Sequence, residues 1–199
     1  MAVGMPSEPL RAHVSKEWKR RIWMIAAFIF AASSWFLYDG LFGYPKNNER
    51  AEVYLPLKEQ YEDDKKQLET EWAEIQEARG WSGKTPKKIY SDQDILTQYL
   101  FAAFGYLGFL GTLGYYFWSL PRTLAFSEDK LTLPDGRVID IYTIKNIDKR
   151  AWKSKGIAKV RYQVAPGEME KAQLDDYKFI GTAEILDEIQ ARLQPKKAE

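Results

Sequence analysis

The chain has 199 residues, with 29 Lys plus Arg set against 28 Asp plus Glu, one His and no Cys. That length accommodates one or two small domains, and a formal net charge of +1 leaves no global excess of base for nucleic-acid binding. Without Cys this chain forms no disulfide, thiolate nucleophile or cysteine metal site, and the single His13 rules out any site built on two imidazoles.

Residues 1–21 read as a basic N-terminal tail. Arg11, Lys16, Lys19, Arg20 and Arg21 stand against only Glu8 and Glu17, and His13, beside Arg11, is expected to be solvated. Residues 22–38 then read IWMIAAFIFAASSWFLY without a charge. With the apolar residues up to 42, this stretch approaches the roughly 20 residues a helix needs to cross a hydrocarbon core. A basic start and the small run Ala31-Ala32-Ser33 also fit a cleaved secretory signal. The apolar run continues through Trp35, Phe36 and Leu37, which favours a retained span.

Residues 43–94 form the connection, opened by a Gly43-Tyr44-Pro45 turn. Residues 57–79 contain no Gly or Pro and are dense in Glu, Lys and Gln. They predict one long amphipathic helix starting after Pro56, a first-turn residue. Tyr61, Leu68, Trp72 and Ile75 give it a narrow apolar stripe, a candidate partner face, although a solvated spacer explains the composition equally well. Ser91-Asp92-Gln93-Asp94 supplies a capping-box start for the second apolar run. That run, residues 95–120, reads ILTQYLFAAFGYLGFLGTLGYYFWSL, again without a charge, and Pro121 ends it. It is long enough to span outright.

The connection carries nine basic and twelve acidic residues. Against the basic tail, the positive-inside rule places both termini in the cytoplasm and the connection outside. Small residues nominate the packing surface of the two helices: Ala27 and Ala31 in the first, Gly105, Gly108, Gly111 and Thr112 in the second. No Asp, Glu, Lys, Arg or His lies within either apolar run, which disfavours a pump or transporter.

After residue 121 the pattern alternates. Residues 123–126, 130–133, 137–141, 157–164 and 171–174 read as short strands, with turns at Pro134-Asp135-Gly136 and Pro166-Gly167. Ile144, Ile147 and Trp152 add apolar anchors. In residues 182–193, Ile185, Leu186, Ile189 and Leu193 fall on one helical face ahead of Pro195, and residues 195–199 remain as a tail. The fold class expected is a membrane helical hairpin plus an α+β domain, residues 121–194, made of a curved antiparallel sheet capped by a C-terminal helix.

The order FSEDKLTLPDGRVIDIYTIKNI, a basic link, GIAKVRYQV, DDYKFI and a terminal amphipathic helix resembles a bacterial pleckstrin-homology-like (PH-like) domain, a kind that commonly follows paired transmembrane helices. The resemblance covers roughly residues 122–193, and its connection between spans is longer than usual for that arrangement. It implies a binding or assembly module with no catalytic residues to carry over.

Lys145, Lys149, Arg150, Lys153, Lys155, Lys159 and Arg161 crowd the middle of this segment with only Asp148 opposing them. Beside a bilayer such bases attract anionic lipid. Lys149, Arg150, Lys153, Lys155, Lys159 and Arg161 are therefore candidate lipid or partner contacts; simple exposure on the outer side of a strand explains them too. Phosphate-loop and nucleophile-elbow motifs are absent, and Asp175-Asp176, neighbours on a strand, would point to opposite faces and read as loop caps. No catalytic residue, cofactor or metal site is expected, and no nucleic acid or small-molecule substrate. The functional expectation is a non-enzymatic bacterial inner-membrane anchor or scaffold that binds other proteins. The alternatives are an accessory subunit of a larger membrane enzyme complex and an anionic-lipid sensor.

Overall fold

The structure, a computed structural model, describes residues 8–193. It is mixed helix and antiparallel sheet, and it divides into two compact units: residues up to 25 together with those from 112 onward, and residues 26–111.

The first unit is an eight-stranded sheet domain. Its strands are β1 (Leu10–Val14), β2 (Thr123–Ser127), β3 (Lys130–Thr132), β4 (Val138–Asp140), β5 (Ile144–Asp148), β6 (Ile157–Ala165), β7 (Glu168–Asp175) and β8 (Phe179–Ile180). One sheet runs β4-β3-β2-β1-β8 and the other β5-β6-β7. Alternation builds the shared core. Ala158, Val160 and Tyr162 of β6 point inward with Leu124 and Phe126 of β2, while Lys159 and Arg161 stay exposed. A terminal helix, here termed α6 (Thr182–Leu193), buries Ile185, Leu186 and Ile189 against this core, and Arg192 ties it to Asp129 in the β2–β3 turn.

The N-terminal segment is not a tail. Residues 10–14 are a central strand, pairing with β2 on one side and β8 on the other, and His13 faces Thr123 and Ile180 across the ladders. Ala12 and Val14 are buried. Gly181 closes this junction: its φ is +100°, and a Cβ there would approach Arg11 O at 3.3 Å. Only Ser15 separates β1 from the first long helix, α1 (Lys16–Tyr38). The Ser15 hydroxyl accepts from Trp18 N and donates to Tyr177 O, capping that helix and holding it to the turn before β8.

The second unit contains the rest of α1, a wide π turn at Asp39–Gly43, α2 (Tyr44–Gln60), α3 (Lys65–Arg79) and most of α4 (Asp92–Ser119). The expected break at Gly43-Tyr44-Pro45 is helical instead. Tyr44 N bonds back to Asp39 O, and Pro45 occupies the first turn of α2, where a missing N–H costs little. Helix therefore runs unbroken over Lys16–Gln60, 45 residues, and passes Ala31 to Ser33 without interruption.

The single helix expected over residues 57–79 is two. Pro56 lies inside α2 rather than at a helix start, and the chain breaks over Tyr61 to Asp64. Asp64 explains the break: its side chain accepts from Gln67 N, a local bond that competes with helix continuation. Gly80 ends α3 in the left-handed conformation, with Trp81 N returning to Gln76 O at 2.8 Å. At the start of α4, Ser91 and Asp94 exchange reciprocal side-chain-to-backbone bonds, the capping box read from the sequence.

Two helical segments, Lys16–Gln60 and Asp92–Ser119, are long and apolar enough to cross a membrane. Only 17% and 6% of their apolar windows are buried within the chain.

Candidate interaction surfaces

Charge gathers on the outer face of the β5-β6-β7 sheet. Because side chains alternate along a strand, Lys159 and Arg161 share this face with Lys171 and Gln173 of β7. Lys159 is the register partner of Asp148 and Gln173, and Arg161 that of Asn146 and Lys171. Arg161 and Lys171 thus stand directly opposite each other, an arrangement of like charges that destabilises a ladder. Neither side chain makes a hydrogen bond, ion pair or ring contact among the described residues. With Asn146, Asp148, Lys149 and Arg150 they line an open groove of about 550 Å³.

One acid of this face, Asp148, is already committed. Arg150 grips Asp148 through both carboxylate oxygens at 2.7–3.1 Å. This bond, reinforced by the Arg150 amide, lowers the Asp148 carboxyl to about 2. Lys149 turns away, donating to Gln190 at 2.8 Å beside Asp187. Lys155, in the short helix α5 (Trp152–Lys155), lines an adjoining hollow with Arg150 and Lys159, whereas Lys153 lies exposed on that turn. Of the six bases nominated from sequence, Lys159 and Arg161 share the face, Arg150 and Lys155 border it, Lys149 is engaged by Gln190 and Asp187, and Lys153 is exposed on the α5 turn. Lys171 was not among them.

A second surface surrounds the ends of α1 and α4 in the sheet domain. Trp18 stacks on Tyr116 and meets Tyr115 edge-on, and Trp23 packs against Tyr116. Lys178 donates to Tyr115 OH at 2.9 Å and Ser119 Oγ at 3.1 Å, with its ammonium over the Trp18 ring. Arg122 lies 3.4 Å over the Trp118 ring and donates to Pro134 O. Aromatic rings interleaved with cations are the chemistry of a membrane–water boundary.

The nominated helix-packing residues require correction. In the second unit α1 meets α4 through Ala26, Ser33 and Ala102, all buried, with Phe30 against Tyr106 and Phe109. Gly105 belongs to this contact, because a Cβ there would collide with the Ser33 hydroxyl. A Cβ at Gly108 would lie 4.0 Å from Ile29, while one at Gly111 would meet nothing within 4 Å. Ala27 and Ala31 sit on exposed sides of α1 and Thr112 is half-buried. Ala26, one position earlier than Ala27, is buried.

The outer partner face is likewise turned inward. Leu68 and Trp72 are buried, with Trp72 against Tyr54, Trp81 and the Arg50 guanidinium. Tyr61, in the bend, and Ile75 are half-buried. The stripe therefore serves the α2–α3 hairpin itself and borders a cavity of about 310 Å³ with Tyr54 and Thr85.

Asp175 and Asp176 act as caps, accepting from Lys178 N and Ala183 N. Among the described residues no group of three or more His, Asp or Glu side chains is placed to hold a metal ion. No family model, no curated protein and no solved structure matches the chain.

Proposed function

We propose that this protein is a two-span anchor of a bacterial inner membrane, presenting a PH-like interaction domain to the cytoplasm as a non-enzymatic scaffold for other proteins. One observation carries the reading. The strand before the first apolar helix pairs with the strand after the second, Leu10 with Phe126 and Ala12 with Leu124. If both helices cross a bilayer, the two strands meet only when both ends emerge on the same side. The basic side chains Arg11, Lys16, Lys19, Arg20 and Arg21 make that side the cytoplasm, leaving the α2–α3 hairpin outside.

Two antiparallel sheets closed by α6 support the PH-like likeness, with β1 as a departure: it is donated from ahead of the spans. Unpaired edges at β4 and β7 are suited to accepting a partner's strand. Purification of the full chain from membranes in mild detergent tests the scaffold reading. A protein partner at constant stoichiometry is the expected result, and bare polypeptide at every scale contradicts it.

A further inference from the structure

We infer that the outer face of the β5-β6-β7 sheet binds the phosphates of anionic lipid headgroups, with Lys159, Arg161 and Lys171 as the binding residues. The inference rests on the two apolar helices lying in a bilayer and goes beyond the scaffold reading.

Three features point to an anionic ligand. Arg161 and Lys171 are cross-strand partners, so each raises the other's electrostatic energy in the free protein. Their hydrogen-bonding capacity is unspent among the described residues. Asp148, the acid opposite Lys159 in the ladder, is held through both carboxylate oxygens by Arg150. A phosphate relieves this arrangement. It accepts from the Arg161 fork in bidentate fashion and takes a point charge from each flanking lysine. Side chains two apart on a strand are separated by roughly 7 Å, which suits a headgroup phosphate between Lys159 and Arg161.

Lipid rather than free phosphate is favoured by the tether. Ser15 alone links β1 to α1, and Leu120, Pro121 and Arg122 link α4 to β2. A domain held so closely at both ends stays at the bilayer surface, where headgroups are concentrated, and each base there strengthens binding about fivefold.

The test uses the full chain in nanodiscs of phosphatidylcholine or of phosphatidylcholine with phosphatidylglycerol, with amide hydrogen exchange as the readout. Slower exchange in residues 157–175 with phosphatidylglycerol is expected, fading in high salt and abolished in Lys159→Gln/Arg161→Gln/Lys171→Gln. That variant removes a repulsion, so it is expected to be at least as stable as the parent in neutral discs, which separates lost binding from lost folding. Equal exchange in the two disc types overturns the inference. So does equal slowing by inorganic phosphate in neutral discs, which would assign the face to a soluble anion. Failure of the chain to enter discs would instead refute the membrane reading beneath it.

Discussion

Leu10 and Phe126 are cross-strand partners, although one lies ahead of the first apolar helix and the other behind the second. Both apolar helices are therefore clamped into one sheet, whose core cannot be completed by the C-terminal part of the chain alone. Ala12, fully buried between β2 and β8, is the centre of that clamp.

Ala12→Asp places a carboxylate there with no partner, a change costing about 3–5 kcal/mol. Arg11→Ala, on the exposed side of the same strand, stays within about 0.5 kcal/mol. Thermal unfolding of the full chain in detergent, monitored by tryptophan fluorescence, separates the two. Equal effects would mean that β1 is dispensable.

Gly181→Ala is expected to destabilise the same junction by about 1–2 kcal/mol, since an L-residue resists positive φ and the new methyl would press on Arg11 O. An unchanged midpoint in the same assay would contradict that geometry.

Among the carboxyls that folding lowers, two lie in the β5-β6-β7 sheet. Asp148 is lowered from 3.8 to about 2, chiefly by its Arg150 bond. Glu170 lies below its ordinary 4.5, first because Tyr162 OH donates to it and then through Arg137. Folding depresses both, so their stabilisation is complete above the unfolded values and is lost as pH falls through 4.5 and 3.8 towards 2. Both groups are exposed and the effect is small. The midpoint should be flat above about pH 5 and decline below about pH 4, with a shallower decline in Glu170→Gln. A midpoint that rises on acidification would contradict the assignment.

Gly105→Leu forces a side chain into Ser33 and should weaken the α1–α4 contact by about 1–3 kcal/mol, whereas Gly111→Leu meets open space. Titration with a denaturing detergent, monitored by helix separation, compares them; equal midpoints would contradict the packing.

Much of the sheet domain was legible because alternation and turn chemistry are local. The strands around Pro134-Asp135-Gly136 and the α6 face follow from residue order alone. Residues 10–14 gave no such signal: a short strand is recognised by its partner, and β2 and β8 lie far along the chain. Lys171 was hidden by a bulge. The register shifts between Gln163 and Ala165, so counting outward from Pro166-Gly167 places Lys171 opposite Tyr162, on the wrong face. The break in residues 57–79 carried no Gly or Pro, and only the capping bond of Asp64 reveals it. Small residues put Gly105 among several nominated contacts but could not single it out or fix the phase on α1, where Ser33 and bulky Phe30 also contribute.

The most direct test of the clamp is a disulfide in the otherwise Cys-free full chain, in membranes. Arg11→Cys and Ala125→Cys occupy partner positions in β1 and β2, so mild oxidation should join them quickly, while Arg11→Cys with Ser127→Cys, out of register, should join slowly. Equal yields from the two pairs, or no bond in either, would contradict a sheet shared by both ends of the membrane helices.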